Sequence, residues 1–120
     1  MQRLLIIAIA SMMLPFWAYA SEGGKYRPLK ASYSLYSGTP GEKEAPTKTD
    51  RKIAIEIEGQ AAKDIFDSLY PDAKVTCSEE KGERLRRRGE VWCTYTPTEK
   101  YRCFVGFNLR TGKSYSGASC

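Results

Sequence analysis

GERLRRRGEVWCTYTPTEKYRCFVGF, residues 82–107, carries two runs of alternating character on either side of Pro97-Thr98-Glu99. With that tripeptide at the tip of a hairpin, Val91 faces Val105, Cys93 faces Cys103 and Tyr95 faces Tyr101, all on one side. Trp92 then stands opposite Phe104, and Thr94 opposite Arg102, on the other side. The hairpin thus has an apolar, cysteine-bearing face and an aromatic face with one arginine. Four arginines (Arg84, Arg86, Arg87, Arg88) lead into it.

Downstream, Leu109-Arg110-Thr111-Gly112 reads as a second turn, with glycine where a three-residue loop needs positive φ. Pairing Phe107 with Tyr115 would extend the apolar face onto a third strand and set Cys103 against Ser119. Upstream, KIAIEIE (residues 52–58) alternates Ile53, Ile55 and Ile57 with Glu56 and Glu58, as a strand covered on one side does. In QAAKDIFDSLYP, Ala61, Ala62, Ile65, Phe66 and Leu69 recur at helical spacing, and Pro71 ends the helix. The expected fold is α+β: one helix on a small antiparallel sheet in the order β-α-β-β-β, disulfide-stabilised, with a mobile N-terminal segment.

That segment, residues 21–51, is dominated by SEGGKYRP and SGTPGEKEAPTKTDR, which hold too few apolar groups to offset the entropy of ordering. Between them LKASYSLY alternates with period two, which makes residues 29–36 a possible strand. Residues 52–120 are expected to form the compact disulfide-bonded domain. Residues 1–20 read as a cleavable signal peptide: Arg3, then LLIIAIASMMLPFW, then Ala18-Tyr19-Ala20 before the cleavage point. The apolar run is shorter than the ~20 residues of a membrane helix, so no transmembrane anchor is expected after cleavage. Loss of Arg3 with that leader lowers the formal charge from +5 to +4, a mild bias towards anionic surfaces.

All four cysteines, Cys77, Cys93, Cys103 and Cys120, follow the leader. An even count in a short exported chain indicates two disulfides. Three connectivities are open; the hairpin register favours Cys93 with Cys103 and Cys77 with Cys120. The chain has no histidine and no C-x-x-C, so neither a zinc site nor a thiol redox pair is expected.

The same lack of histidine excludes Ser-His-Asp and Cys-His catalysis, and bonded cysteines offer no thiolate. Asp64 and Asp67 fall on the wet side of the helix, and Glu56 and Glu58 form an exposed stripe. No catalytic, metal or cofactor residues are assigned, and enzymatic activity is not expected. Two surfaces are candidates for binding. Trp92 and Phe104 beside Arg102 have the composition of a protein-interface anchor. Arg84, Arg86, Arg87 and Arg88 could instead hold an acidic polymer, although with Lys81 they exceed Glu79, Glu80, Glu83 and Glu90 by only one charge. These features imply a bacterial exported protein, periplasmic or secreted, that contacts another exported protein as an inhibitor, immunity factor or accessory. The alternative partner is an acidic envelope polymer such as lipopolysaccharide, peptidoglycan or another glycan. Nucleic acid is not expected, and the sequence is silent on oligomeric state.

Overall fold

The computed structural model describes residues 23–120; the leader expected at 1–20 lies outside them. Six strands form one antiparallel sheet: β1 (Lys30–Thr39), β2 (Glu42–Glu44), β3 (Lys52–Glu58), β4 (Arg84–Arg88), β5 (Val91–Thr96) and β6 (Lys100–Asn108). Helix α1 (Gly59–Ser68) joins β3 to the second half of the sheet. The spatial order is β2-β1-β3-β6-β5-β4. The α+β class and the two disulfides therefore stand, but the expected β-α-β-β-β order does not: the possible strand at 29–36 joins the sheet, and β2 and β4 form where no strand was assigned.

At the N-terminal side, LKASYSLY joins the sheet: Ala31, Tyr33 and Leu35 lie opposite Ile57, Ile55 and Ile53 of β3. The strand continues through Thr39 and turns back as β2, where Ser37 pairs with Glu44 and Thr39 with Glu42. A Gly-, Pro- and charge-rich stretch thus holds the end of β1 and the whole of β2. Anchors that composition does not reveal fix it: the Ser37 hydroxyl donates to the Ala45 carbonyl at 2.7 Å, and the Gly38 N–H donates to Asp50 at 2.9 Å. On the opposite edge, the arginine run is itself a strand, with Arg84 to Arg88 paired to Tyr95 through Val91.

The β5–β6 hairpin has the register read from the sequence, with Trp92 opposite Phe104, Cys93 opposite Cys103 and Tyr95 opposite Tyr101. Beyond it the expected third strand is absent. A lone bridge joins Phe107 to Ser114, not Tyr115, and the chain then crosses the sheet instead of extending it. The reason lies in a row of small residues, Ser34, Ala54 and Gly106, that crosses β1, β3 and β6 on the side away from the helix. Residues 115–117 lie in that shallow track. A Cβ on Gly106 would come within 2.7 Å of the Tyr115 carbonyl oxygen, and one on Gly117 within 2.5 Å of the Val105 carbonyl oxygen.

The sheet therefore has two covered faces. On one, α1 starts straight from β3 through Gly59 at φ 70, a left-handed conformation that suits glycine. The helix presses Ala62 and Phe66 onto Ile57, Cys93 and Cys103, with Ile55, Tyr95, Tyr101 and Val105 packed around them. Helical spacing buries Ala62 and Phe66 while Lys63, Asp64 and Asp67 stay exposed. On the other, the C-terminal segment covers the sheet, tied down by the Cys77–Cys120 disulfide.

Candidate functional site

Direct cross-strand partners project to the same side, so Trp92, Thr94, Arg102, Phe104, Glu56 and Glu58 share the face away from the helix. The C-terminal segment does not close over all of it. Between Gly117–Ser119, Pro40, Lys43 and Cys77 on one side and Trp92, Thr94, Arg102 and Phe104 on the other lies a cleft of about 330 Å³. Trp92 and Phe104 are half-buried, and the rim is fixed by the disulfide between Cys77 and Cys120, whose Cα atoms are 5.3 Å apart.

Arg102 is not a free cation in this cleft. Its guanidinium pairs with Glu56, with Glu99 at 2.8 Å and with Glu58 at 3.9 Å. Glu58 is also reached by Lys30 at 3.2 Å. Glu56, Glu58 and Glu99 against Arg102 and Lys30 leave this cluster with one negative charge in excess, and Lys43 lines the cleft beside it. The sequence brings the aromatic pair and Arg102 together as the register requires, but it hides the charge balance, because Glu56 and Glu58 come from β3 and only the β3–β6 pairing sets them beside Arg102.

The four arginines of β4 do not form one patch. Alternation sends Arg84, Arg86 and Arg88 to the helix side and Arg87 to the cleft side, where its guanidinium sits 5.0 Å from the Trp92 ring centre. Arg84 and Arg86 both grip Asp72, at 2.8 and 2.6 Å, and both stack over the Phe66 ring. Hydrogen bonds from Arg84 first, and then from Arg86, hold the Asp72 carboxyl at about 2. Arg86 also donates to the Phe66 carbonyl, and Arg88 to that of Tyr70. These side chains cap the end of α1. Asp72, the hub of this arrangement, escaped the sequence reading; its signal was its place one residue after the helix-ending Pro71.

A second charged group was also missed. Lys52 is buried on the cleft-side face, bonded to Asp50 at 2.5 Å and to the Gly38 carbonyl at 2.8 Å, between the rings of Tyr36 and Tyr115. The Gly38 backbone N–H and then Lys52 pull the Asp50 carboxyl below its ordinary range, while burial pushes the Tyr36 hydroxyl up. This cluster anchors the β1–β2 turn.

All four cysteines are bonded, Cys93 to Cys103 beneath the helix and Cys77 to Cys120 at the cleft rim. Two disulfides fit a protein that leaves the reducing cytoplasm. Among the described residues no helix is long and apolar enough to cross a membrane, and no cluster of three or more His, Cys, Asp or Glu could hold a metal ion. The chain matches no protein-family model, no curated protein and no solved structure.

Proposed function

We propose that this chain is an exported, non-enzymatic binding protein, periplasmic or secreted, that acts by contact on another exported protein, as an inhibitor, immunity factor or accessory would. The observation that carries the proposal is the cleft in which Trp92 and Phe104 stand half-buried beside the Arg102–glutamate cluster. Aromatic anchors on a rigid sheet lose little conformational entropy when a partner covers them. Aromatic rings beside side chains of both charges, Lys43, Glu99 and Arg102, suit a partner segment that presents an apolar side chain next to a charged one. With no histidine and every cysteine bonded, the chain holds neither a Ser-His nor a Cys-His pair. An acidic polymer is the less favoured partner, since Arg84 and Arg86 are already committed to Asp72.

The test is affinity capture from envelope extracts with the mature oxidised protein and with a Trp92→Ala/Phe104→Ala variant. A partner held by the first and lost by the second, with both proteins melting alike, supports the cleft. Identical partner lists overturn it. Assaying the purified protein alone, then mixed with lysozymes and proteases, separates an inhibitor from a hydrolase.

A further inference from the structure

The two edges of the sheet are built differently. At one edge the backbone of β4 is already engaged, the Ala73 N–H donating to the Leu85 carbonyl at 2.7 Å, and Arg87 and Arg88 stand exposed on it, which resists pairing with another copy. At the other, β1 is hydrogen-bonded to β3 from Lys30 to Tyr36, whereas β2 occupies its outer side only from Ser37 to Thr39. Among the described residues the outer side of Lys30–Tyr36 has no strand partner. This edge carries no proline, and its one charge, Lys30, is already paired with Glu58 at 3.2 Å. It also holds large exposed apolar side chains: Tyr33 is 72% exposed and Leu35 38%, and Leu29, just before the strand, is 54%.

We propose that this edge pairs antiparallel with the same edge of a second copy, giving a twofold dimer in which the six-stranded sheet continues across the axis. The strand pattern is self-complementary about Ser32. With Ser32 opposite Ser32 of the second copy, Ala31 meets Tyr33 and Leu29 meets Leu35 on the helix side, while Lys30 meets Ser34 on the other. No like charges oppose one another. The same register sets Pro28 against Tyr36, the last free position, and pairing stops there because Ser37 is already paired with Glu44 of its own β2. Arg27 and Lys25 then arrive at Glu44 and Glu42 of the other copy's β2, which takes over the edge from that point. Opposite charges thus meet where the seam ends. A seam of this kind buries less than about 1,200 Å², so the dimer is expected to dissociate in the micromolar range. Trp92 and Phe104 stand on β5 and β6, separated from this edge by β3.

Sedimentation velocity on the mature oxidised chain, from micromolar to millimolar concentration, tests the proposal. The wild type should pass from monomer to dimer. Tyr33→Lys/Leu35→Lys should weaken association roughly tenfold or more, because the twofold repeats each new charge across the seam. Both positions are exposed, so its melting point should stay unchanged. The register is read by mild oxidation: Ser32→Cys should cross-link to a dimer with the native disulfides intact, and Ser34→Cys, which faces Lys30, should not. Hydrogen exchange on the unmodified chain adds a variant-free reading, with protection across residues 30–36 rising with concentration. Trp92→Ala/Phe104→Ala should dimerise like the wild type. A monomer at every concentration overturns the proposal, as does equal cross-linking of the two cysteine variants or association that survives Tyr33→Lys/Leu35→Lys.

Discussion

Three interactions meet at Arg86: Nε on Asp72 at 2.6 Å, Nη1 on the Phe66 carbonyl at 2.9 Å, and the guanidinium plane 4.3 Å from the Phe66 ring centre. Its side chain is only 14% exposed, whereas Arg87 is exposed and makes one ring contact. Arg86→Ala is therefore expected to cost about 2 kcal/mol in urea unfolding, since it removes two charge-assisted hydrogen bonds and the guanidinium stacked on Phe66. Arg87→Ala should stay within about 0.5 kcal/mol. Equal losses would show that the arginines act only as a shared field of charge. The pairing also predicts an acid response. Asp72 is held at about 2, below its ordinary 3.8, so its contribution is complete above pH 3.8 and is lost as the pH falls through that value towards 2. Both Asp72 and Arg84 are more than a third exposed, which limits the effect to about 1 kcal/mol. Asp72→Asn should flatten that part of the stability–pH curve. A remnant with the same sign should survive, because Asp50 is lowered too. A curve unchanged by the substitution would remove Asp72 from the account.

How far an element could be read in advance depended on whether its partners lay nearby in sequence. The β5–β6 hairpin was legible because its strands alternate cleanly and its tip holds Pro97, so the register follows from local pattern. Strand β3 and helix α1 were legible for the same reason, each carrying its own period. Strand β2 was not: Glu42-Lys43-Glu44 has no apolar alternation, and its position depends on Ser37, Gly38 and Asp50. The C-terminal segment misled for a subtler reason. It has a turn glycine and a strand-like pattern, but the track that receives it is made by Ser34, Ala54 and Gly106 from three different strands. Arg102 likewise reads as an open anchor until β3 brings two glutamates beside it. The track is testable through its glycines. A Cβ at Gly117 would press on the backbone of Val105, and one at Gly106 on the Tyr115 carbonyl, neither of which can move aside as a side-chain end would. Gly117→Ala and Gly106→Ala are each expected to cost about 2 kcal/mol or more and to speed proteolysis of the C-terminal segment. Gly23→Ala, with nothing within 4 Å of the new carbon, is the neutral control.

At the scale of the whole molecule, the two faces of the sheet are held by different means, and the disulfides follow that division. Beneath the helix, Cys93 and Cys103 are fully buried, 4.0 Å apart at Cα, and span a sequence separation of 10. Cys77 and Cys120 are exposed, span a separation of 43, and hold the C-terminal segment on the opposite face. In the chain-entropy account, loss of the longer link costs about 4 kcal/mol and that of the shorter about 3 kcal/mol, the latter aggravated by disturbance of the core it sits in. Access to reductant orders the two in time. A thiolate can attack the Cys77–Cys120 sulfurs from solvent, whereas the Cys93–Cys103 sulfurs lie under Ala62 and Phe66 and need the helix to leave the sheet. Stepwise reduction of the oxidised protein, quenched by alkylation and read by mass spectrometry, should therefore pass through a species alkylated at Cys77 and Cys120 alone. That species should keep the far-UV signature of the sheet and helix while the C-terminal segment becomes protease-sensitive. The second pair should open only with global unfolding, at a rate that tracks denaturant. Simultaneous alkylation of all four cysteines under native conditions would mean that the two faces are not independently held.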